Sequence, residues 1–280
     1  MKRLYILLWG LLIVALWGSC DKVEEPFLIN KGPVGSGGGG EAGKRVILVE
    51  EFTGHRCTNC PEAAVELANL KAQYGEQLLV VAIHAGFFAW PLDEFTADYQ
   101  TEAGTAISDY FGLSSNPSGM VSRMEFDGSR MLGKDEWQPA IASLLEEEAL
   151  AQIAMESTYD AENRTAAVDV EMELFAPQEG VAYKFCLVAI ENDIVSPQAN
   201  NNPDIGETPT IHDWHHKHVL RGAVNGTWGE PVDVASGVVS KEYSYELPEA
   251  WNEDNCAFIG YLYRDDTKEI LHAAEVHVKE

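Results

Sequence analysis

The chain has 280 residues, of which 46% are hydrophobic, and its 45 acidic against 19 basic side chains give a formal net charge of −26 at pH 7. Such an acidic surface repels phosphate backbones and anionic lipid headgroups, which excludes nucleic acid as a partner. The length and the apolar content are sufficient for a large core and favour two domains.

The N-terminus has the pattern of a secretory signal. Met1-Lys2-Arg3 is basic, Leu4 to Trp17 is apolar but too short for a spanning helix, and small residues precede Cys20. This ending resembles the lipobox of bacterial lipoproteins, although Trp17 stands where that pattern prefers Leu. We therefore predict a signal peptide over residues 1–19 and a lipid at Cys20 that attaches the protein to a membrane.

Residues 20–44 contain a glycine-rich stretch with almost no apolar side chains to pack. This composition is typical of a flexible tether. A lipid anchor followed by a tether predicts a globular protein displayed at a membrane surface, on a periplasmic or an extracellular face.

Residues 45–152 alternate between strand and helix patterns, which favours an α/β domain with parallel strands. The predicted elements are a strand over 46–52, a helix over 61–74, a strand over 78–84, a helical region near 93–111, a strand over 119–124, a hairpin at Asp127-Gly128 and a helix over 134–152. Their order matches the thioredoxin fold with an inserted helical segment.

Residues 153–280 show only strand patterns. Apolar side chains alternate with polar ones near 167–174, 181–190, 238–247, 255–263 and 270–278. Six or seven strands joined by polar turns predict an all-β sandwich domain after the thioredoxin-like domain.

Two cysteines, Cys57 and Cys60, lie three residues apart where the first predicted strand meets the first predicted helix. A cysteine at a helix N-terminus feels a positive partial charge that favours its thiolate. The neighbouring His55 and Arg56 would add to this effect at Cys57. Thioredoxin-like proteins keep their redox centre at this junction.

The resemblance to thioredoxins extends to four residues. It implies that Cys57 is the nucleophile, that Cys60 is the resolving thiol, and that Glu51 on the buried strand relays a proton with a raised pKa. Pro117 stands before a strand, in the place of the cis-proline that holds the substrate backbone. Because Arg56 replaces the usual Trp before the first cysteine, the reduction potential cannot be transferred from that family.

These residues predict thiol-disulfide exchange with extracytoplasmic proteins, without a cofactor. Two alternatives stay open. The Cys57–Cys60 bond could be a structural disulfide in a non-catalytic surface binding or adhesion protein, and His55 and His84 could complete a zinc site with the two thiols.

Two further groups of residues are candidates for bonds or ligands. Cys186 and Cys256 lie in strand patterns and could form a second disulfide or remain free buried thiols. Four histidines fall within seven residues, which makes a divalent metal site conceivable, but imidazoles that hydrogen-bond locally explain the pattern better. They are His212, His215, His216 and His218.

An aromatic group, Phe87, Phe88 and Trp90, follows the second predicted strand. In the predicted fold this segment leaves the sheet near Cys57. The three side chains could form an apolar lip for an unfolded polypeptide, or they could pack against the inserted helices.

Five segments together resemble the outer-membrane-protein-28 family of Bacteroidota lipoproteins, and the resemblance covers about residues 20–280. The segments are Glu50 to Pro61, Ala82 to Gly86, Asn116 to Gly119 with Arg123, Ile194 to Gln198, and His215 to Arg221. The resemblance implies an outer-membrane lipoprotein with a thioredoxin-like domain and a C-terminal sandwich, for which adhesion is the role most often proposed.

Overall fold

The computed structural model describes residues 43–279. The predicted signal peptide, the lipidation site at Cys20 and nearly all of the tether lie outside these residues. None of the described helices has the length and apolar character needed to cross a membrane.

Three α-helices are present in the described residues: α1 (Cys60–Tyr74), α2 (Glu102–Phe111) and α3 (Lys134–Leu145). The first has Pro61 in its first turn, where the fixed φ of proline suits the helix, and Gly75 with φ 58° follows its last residue as the C-cap. Thr101 caps α2, because its Oγ1 accepts a hydrogen bond of 2.9 Å from the Gly104 amide. Pro61 and Gly75 therefore mark the two ends of α1, and Thr101 marks the start of α2.

Thirteen strands complete the described chain. They are β1 (Ile47–Thr53), β2 (Leu78–His84), β3 (Ser118–Val121), β4 (Ala151–Asp160), β5 (Thr165–Leu174), β6 (Tyr183–Glu191), β7 (Ile194–Ala199), β8 (Thr210–His216), β9 (Val219–Ala223), β10 (Glu230–Val232), β11 (Val239–Glu246), β12 (Cys256–Arg264) and β13 (Ile270–His277).

The strands form three sheets. The largest has eight strands in the order β13-β12-β6-β9-β2-β1-β3, with β10 paired to β6. A second sheet has the order β11-β5-β4, and β7 pairs with β8 alone. The fold is therefore mixed α/β, rich in sheet and with few helices.

The first part of the chain builds one end of the large sheet. Strand β1 is parallel to β2 and antiparallel to β3, and all residues of β1 and β2 are buried. Helices α1 and α3 cover one face through side chains such as Leu67, Trp137 and Ile141. The functional residues of the loop after β1 are thereby attached to a rigid, buried strand.

Two predicted helices are shorter than expected. The helical region predicted near 93–111 is helical only over α2, and the helix predicted over 134–152 ends at Leu145. Three glutamates follow Leu145, and negative charge at a helix C-terminus opposes the helix dipole. The residues from Ala151 onward instead pair as β4 with β5.

The boundary predicted between residues 152 and 153 does not divide the sheets. Strand β9 pairs with β2 at Val219 and Ala82, so the later strands β6, β9, β12 and β13 continue the sheet begun by β1 to β3. The described residues belong to one compact unit. The sequence predicts separate domains at this boundary, but a strand pattern does not reveal which sheet edge a strand joins.

The three-stranded sheet shares a core with part of the large sheet. Strands β4, β5 and β11 pack on β6, β12 and β13 through a core that includes Met155, Val170, Phe185 and Phe258. Among the described residues after Leu145 there is no α-helix. The strand-only pattern of the second half therefore agrees with the observed elements, although its sheets are shared with the first half.

Candidate functional site

Cys57 and Cys60 form a disulfide, with their Cα atoms 5.4 Å apart. The Cys57 amide donates a hydrogen bond of 3.0 Å to the Gly54 carbonyl, which turns the chain sharply after β1. Cys60 is the first residue of α1. Each cysteine is only 2% exposed, so neither sulfur is open to a large substrate in this conformation.

A loop that contains the aromatic group packs directly on this turn. The Arg56 amide donates to the Phe88 carbonyl over 3.1 Å, and a Cβ on Gly54 would lie 2.5 Å from the Phe88 carbonyl carbon. Only glycine permits this close approach. The CxxC turn and the aromatic loop therefore hold one another in place.

The two basic side chains beside Cys57 both contact backbone carbonyls of this loop. Arg56 donates from Nη1 to the carbonyls of Phe87 and Trp90, each over 3.2 Å, and lies 4.8 Å from the Phe87 ring. His55 Nε2 lies 3.2 Å from the Trp90 carbonyl, and burial lowers the pKa of His55. The lowered pKa favours the neutral form of His55. This weakens one of the two side-chain charges, those of His55 and Arg56, that were expected to stabilise a Cys57 thiolate.

Pro117 lies at the same end of the sheet as the disulfide loop. The Asn116–Pro117 peptide is cis, and Ser118 pairs with Phe52, which places Pro117 opposite the end of β1. Asn116 Nδ2 donates to the Ala85 carbonyl over 3.1 Å and fixes the loop before β3.

Glu51 is buried on the face of β1 that looks toward α1. It is 4% exposed, its Oε1 has no hydrogen-bond partner, and burial raises its pKa to about 8. Glu51 and Cys60 line the same cavity, which has a volume of about 340 Å³. A carboxyl group whose pKa is raised to about 8 thus shares a cavity with the second cysteine.

The adjacent Glu50 has a different role because its side chain points to the other face. Arg123 donates to both of its carboxylate oxygens, from Nε over 2.7 Å and from Nη2 over 2.6 Å. Both side chains are buried. Glu50 is therefore part of the core and not of the cavity.

A group of buried rings lies beside the cavity. The ring centroid of His84 is 4.9 Å from that of Tyr99 and 5.5 Å from that of His216, and the His55 ring is 6.3 Å from His84. Burial lowers the pKa of His84 well below its usual value and that of His216 to about 4. We did not predict this group, although His84 ends the apolar strand β2 and His216 ends β8.

The four histidines considered as candidate metal ligands do not come together at one site. His212 and His215 are exposed and lie near Glu94 and Asp193, whereas His216 and His218 are largely buried. Within residues 43–279 no group of three or more His, Cys, Asp or Glu side chains is placed to hold a metal ion.

A segment from the second half of the chain covers the disulfide loop. We call residues 198–202 the cover segment. Gln198 Nε2 donates to the carbonyls of Gly54 and Cys57, over 3.3 and 3.0 Å, and the Ala199 amide donates to the His55 carbonyl over 2.8 Å. These contacts explain why the sulfurs are buried. In the sequence, Ile194 to Gln198 is one of the segments that carry the family resemblance. We predicted no role for this segment.

Cys186 and Cys256 are both free and buried. In the paired strands Cys186 lies opposite Tyr261, and Cys256 lies opposite Glu191. Because residues 186 and 191 are an odd number of positions apart, the two thiols point to opposite faces of the sheet. Of the two alternatives left open by the sequence, the structure therefore has two separate buried thiols.

Three solved structures resemble this chain to different degrees. HBP35 of Porphyromonas gingivalis has a TM-score of 0.66 at 15% identity and covers 85% of this chain and 76% of its own. Protein AGR_C_4864 from Agrobacterium tumefaciens has a TM-score of 0.50 at 13% identity, over 85% of this chain and 96% of its own. A domain of the outer membrane lipoprotein Omp28 from Porphyromonas gingivalis is 19% identical over 46% of this chain and 88% of its own, with a TM-score of 0.33.

No curated protein matches the chain. The model of the family described as outer membrane protein Omp28 matches residues 104–280, which is more than half of the chain. This match confirms the family resemblance and the outer-membrane location expected from the sequence. The chain belongs to the Omp28 family of outer membrane proteins.

Proposed function

We propose that this outer-membrane protein carries out thiol-disulfide exchange on extracytoplasmic proteins. The single observation that carries the proposal is Glu51, a buried carboxyl group with no hydrogen-bond partner that lines the same cavity as Cys60. A purely structural disulfide has no need for such a group, and its burial costs folding free energy. A thiol that must gain or lose a proton does need one.

The arrangement around Glu51 supports a thioredoxin-like assignment for the first part of the chain. Strands β1 and β2 are parallel with α1 between them in sequence, and a cis-proline precedes the antiparallel β3. The similarity of this chain to HBP35 is a similarity of fold.

The proposed reaction is a pair of thiol-disulfide exchanges. A substrate thiolate attacks Cys57 Sγ, the Cys57–Cys60 bond breaks, and the departing Cys60 thiolate takes a proton from Glu51. A second substrate thiolate then attacks the substrate sulfur of the mixed disulfide and releases Cys57 as a thiolate. The substrate leaves in the oxidised form, and the protein is left in the reduced form. A separate disulfide partner then reoxidises the protein. The reverse sequence reduces a substrate.

The aromatic loop supports an unfolded polypeptide as the substrate. Phe87 is 58% exposed and Trp90 is 54% exposed, and Arg56 ties both to the turn that holds Cys57. Exposed aromatic side chains beside a reactive sulfur would bind apolar segments that a folded protein conceals. Of the two roles considered for these rings, exposure favours the lip.

A second candidate function rests on the burial of the disulfide. Because the cover segment holds both sulfurs at 2% exposure, exchange requires that segment to move. If it does not move, Cys57–Cys60 is a structural disulfide in a surface binding or adhesion protein. The lipid anchor at Cys20 would attach either version to the membrane.

Catalysis of insulin reduction by dithiothreitol, measured with the full chain, tests the two candidates. For exchange we expect turnover that is abolished in Cys57→Ser and reduced by about a hundredfold or more in Glu51→Gln, in the range of a general acid's contribution. Cys186→Ser is the matched control and should keep full activity. Absence of turnover, together with a reduction potential below about −300 mV, would establish the structural disulfide.

A further inference from the structure

The cavity beside Cys60 has features that proton exchange does not require. Its volume of about 340 Å³ is within the roughly 300–1,000 Å³ of small-molecule sites. A water path to Glu51 would need far less. Apolar side chains of α1 and β2 form the walls: Val65, Leu67, Ala68, Val80 and Ala82.

Four polar atoms of cavity-lining residues are buried without a hydrogen-bond partner. They are Glu51 Oε1, His84 Nδ1, His216 Nε2 and His218 Nδ1. Buried polar atoms in folded proteins are almost always hydrogen-bonded, so four at one cavity indicate that a bound group completes them. Glu51 and His84 lie on the same face of neighbouring strands, at positions offset by two residues.

The protonation of His216 shows what kind of group is missing. Its ring makes hydrogen bonds to the backbone of Ser196 and Pro197. Proline has no amide hydrogen, so its carbonyl accepts and the ring donates from Nδ1. The unpartnered Nε2 is then an acceptor. A carboxylate oxygen at Glu51 would be a second acceptor, and a ligand that fits both must donate hydrogen bonds.

The charges around the cavity define the ligand further. The formal net charge of −26 and the carboxyl group at Glu51 disfavour an anion. The exposed ionisable side chains that line the cavity are of mixed sign and do not reverse this preference: Asp213, His215 and Lys217. The described residues contain no metal-binding group of three side chains, which disfavours a metal ion.

We propose that the cavity binds a primary amine with an apolar, aryl or alkyl body. The ammonium group donates hydrogen bonds to Glu51 and His216, and the apolar body contacts α1 and β2. Binding displaces the carboxyl proton of Glu51 to solvent and leaves an ammonium-carboxylate pair. The site shares Glu51 and Cys60 with the proposed exchange reaction but does not require that reaction.

Isothermal titration of the full chain with 2-phenylethylamine tests the proposal. The neutral 2-phenylethanol and the anionic 3-phenylpropionate serve as matched ligands. We expect the amine to bind at least tenfold more tightly than either. Equal or tighter binding of the alcohol or the anion, or no binding of the amine, would overturn the proposal.

The proton released on binding gives an independent signature. Because the pKa of Glu51 is raised to about 8, the group is mostly protonated at pH 7, and titrations in buffers of different ionisation enthalpy should show release of about 0.9 proton. Binding without proton release would place the amine elsewhere.

Variants separate this site from the surface charge and from the disulfide. Glu51→Gln should lose at least tenfold in amine affinity with no change for the alcohol, whereas Glu179→Gln, at an exposed position outside the cavity, should leave amine affinity unchanged. Cys57→Ser should still bind the amine while losing all exchange activity. Failure of one function would therefore leave the other measurable.

Discussion

At the scale of single residues, Glu51 is the least ordinary group in the molecule. It follows Glu50 directly, and a β-strand turns successive side chains to opposite faces. One carboxylate therefore forms a buried pair with Arg123, and the other remains alone at the cavity. Two adjacent glutamates obtain different chemistry because strand geometry separates them.

We predict that the stability of the protein depends on the protonation of Glu51. Its folded pKa of about 8 lies above the ordinary value of 4.5, so the folded state holds an extra proton between these values. The stabilisation by the protonated acid is complete below pH 4.5 and is lost as the pH rises through 8. At pH 7 the shift corresponds to about 3 kcal/mol.

Urea unfolding of Glu51→Gln at pH 5, 6.5 and 8 checks this prediction. The variant should be more stable than the parent chain at pH 8 and nearly equal to it at pH 5. Glu76→Gln, at an exposed position just after α1, should shift the free energy of unfolding equally at all three values. Parallel curves for Glu51→Gln and the parent chain would contradict the prediction.

At the scale of elements, the CxxC turn depends on two segments that are distant in sequence. The aromatic loop supports it through Arg56, and the cover segment closes it through Gln198. Strand β7 pairs only with β8 and is outside the large sheet. A segment held mainly by side-chain and loop contacts can open locally without unfolding the core.

We predict that Gln198→Ala accelerates reduction of the Cys57–Cys60 disulfide. The variant removes hydrogen bonds to the Gly54 and Cys57 carbonyls, each worth about 0.5–1.5 kcal/mol, which together correspond to about a tenfold faster opening. Alkylation trapping during reduction by dithiothreitol measures the rate. Gln178→Ala, whose side chain is exposed, should react at the parent rate. An unchanged rate for Gln198→Ala would show that the cover segment does not control access.

At the scale of the whole molecule, Arg123 connects the first and second halves of the chain. It donates to Glu50 on β1 and, over 3.1 Å, to the hydroxyl oxygen of Tyr261 on β12. Aromatic rings from both halves surround its guanidinium: Phe111, Trp228, Tyr261 and Tyr263. The halves therefore share a buried charge as well as a sheet, and we expect them to unfold together.

We predict that Arg123→Met destabilises the protein by about 3–5 kcal/mol, because it leaves the Glu50 carboxylate buried without its partner. The double variant with Glu50→Gln should lose less than the sum of the two single changes. Arg264→Met, which removes an ion pair at the surface, should cost at most about 1 kcal/mol. Chemical unfolding followed by two optical probes measures these differences, and two separate transitions would contradict joint unfolding of the halves.

Much of the local structure was predictable from the sequence. The buried pattern of β1, the helix after Cys60 and the alternation in β5 and β11 all reflect periods of two or 3.6 residues, which neighbouring residues determine by themselves. The helix predicted over 134–152 does form, but its predicted end was wrong. The residues from Ala151 onward pair as β4 with β5, and this tertiary pairing is not a local pattern.

The sequence by itself determined the outer-membrane family, the order of elements around the CxxC motif, and a buried glutamate six residues before Cys57. These depend on motifs and on periodicity over short stretches of chain. Only the tertiary structure decided that one sheet unites the two halves, that Cys186 and Cys256 face apart, that buried histidines line a cavity, and that Gln198 closes the disulfide. Each of these features joins residues many positions apart, and strand pairing over such separations leaves no local pattern in the sequence.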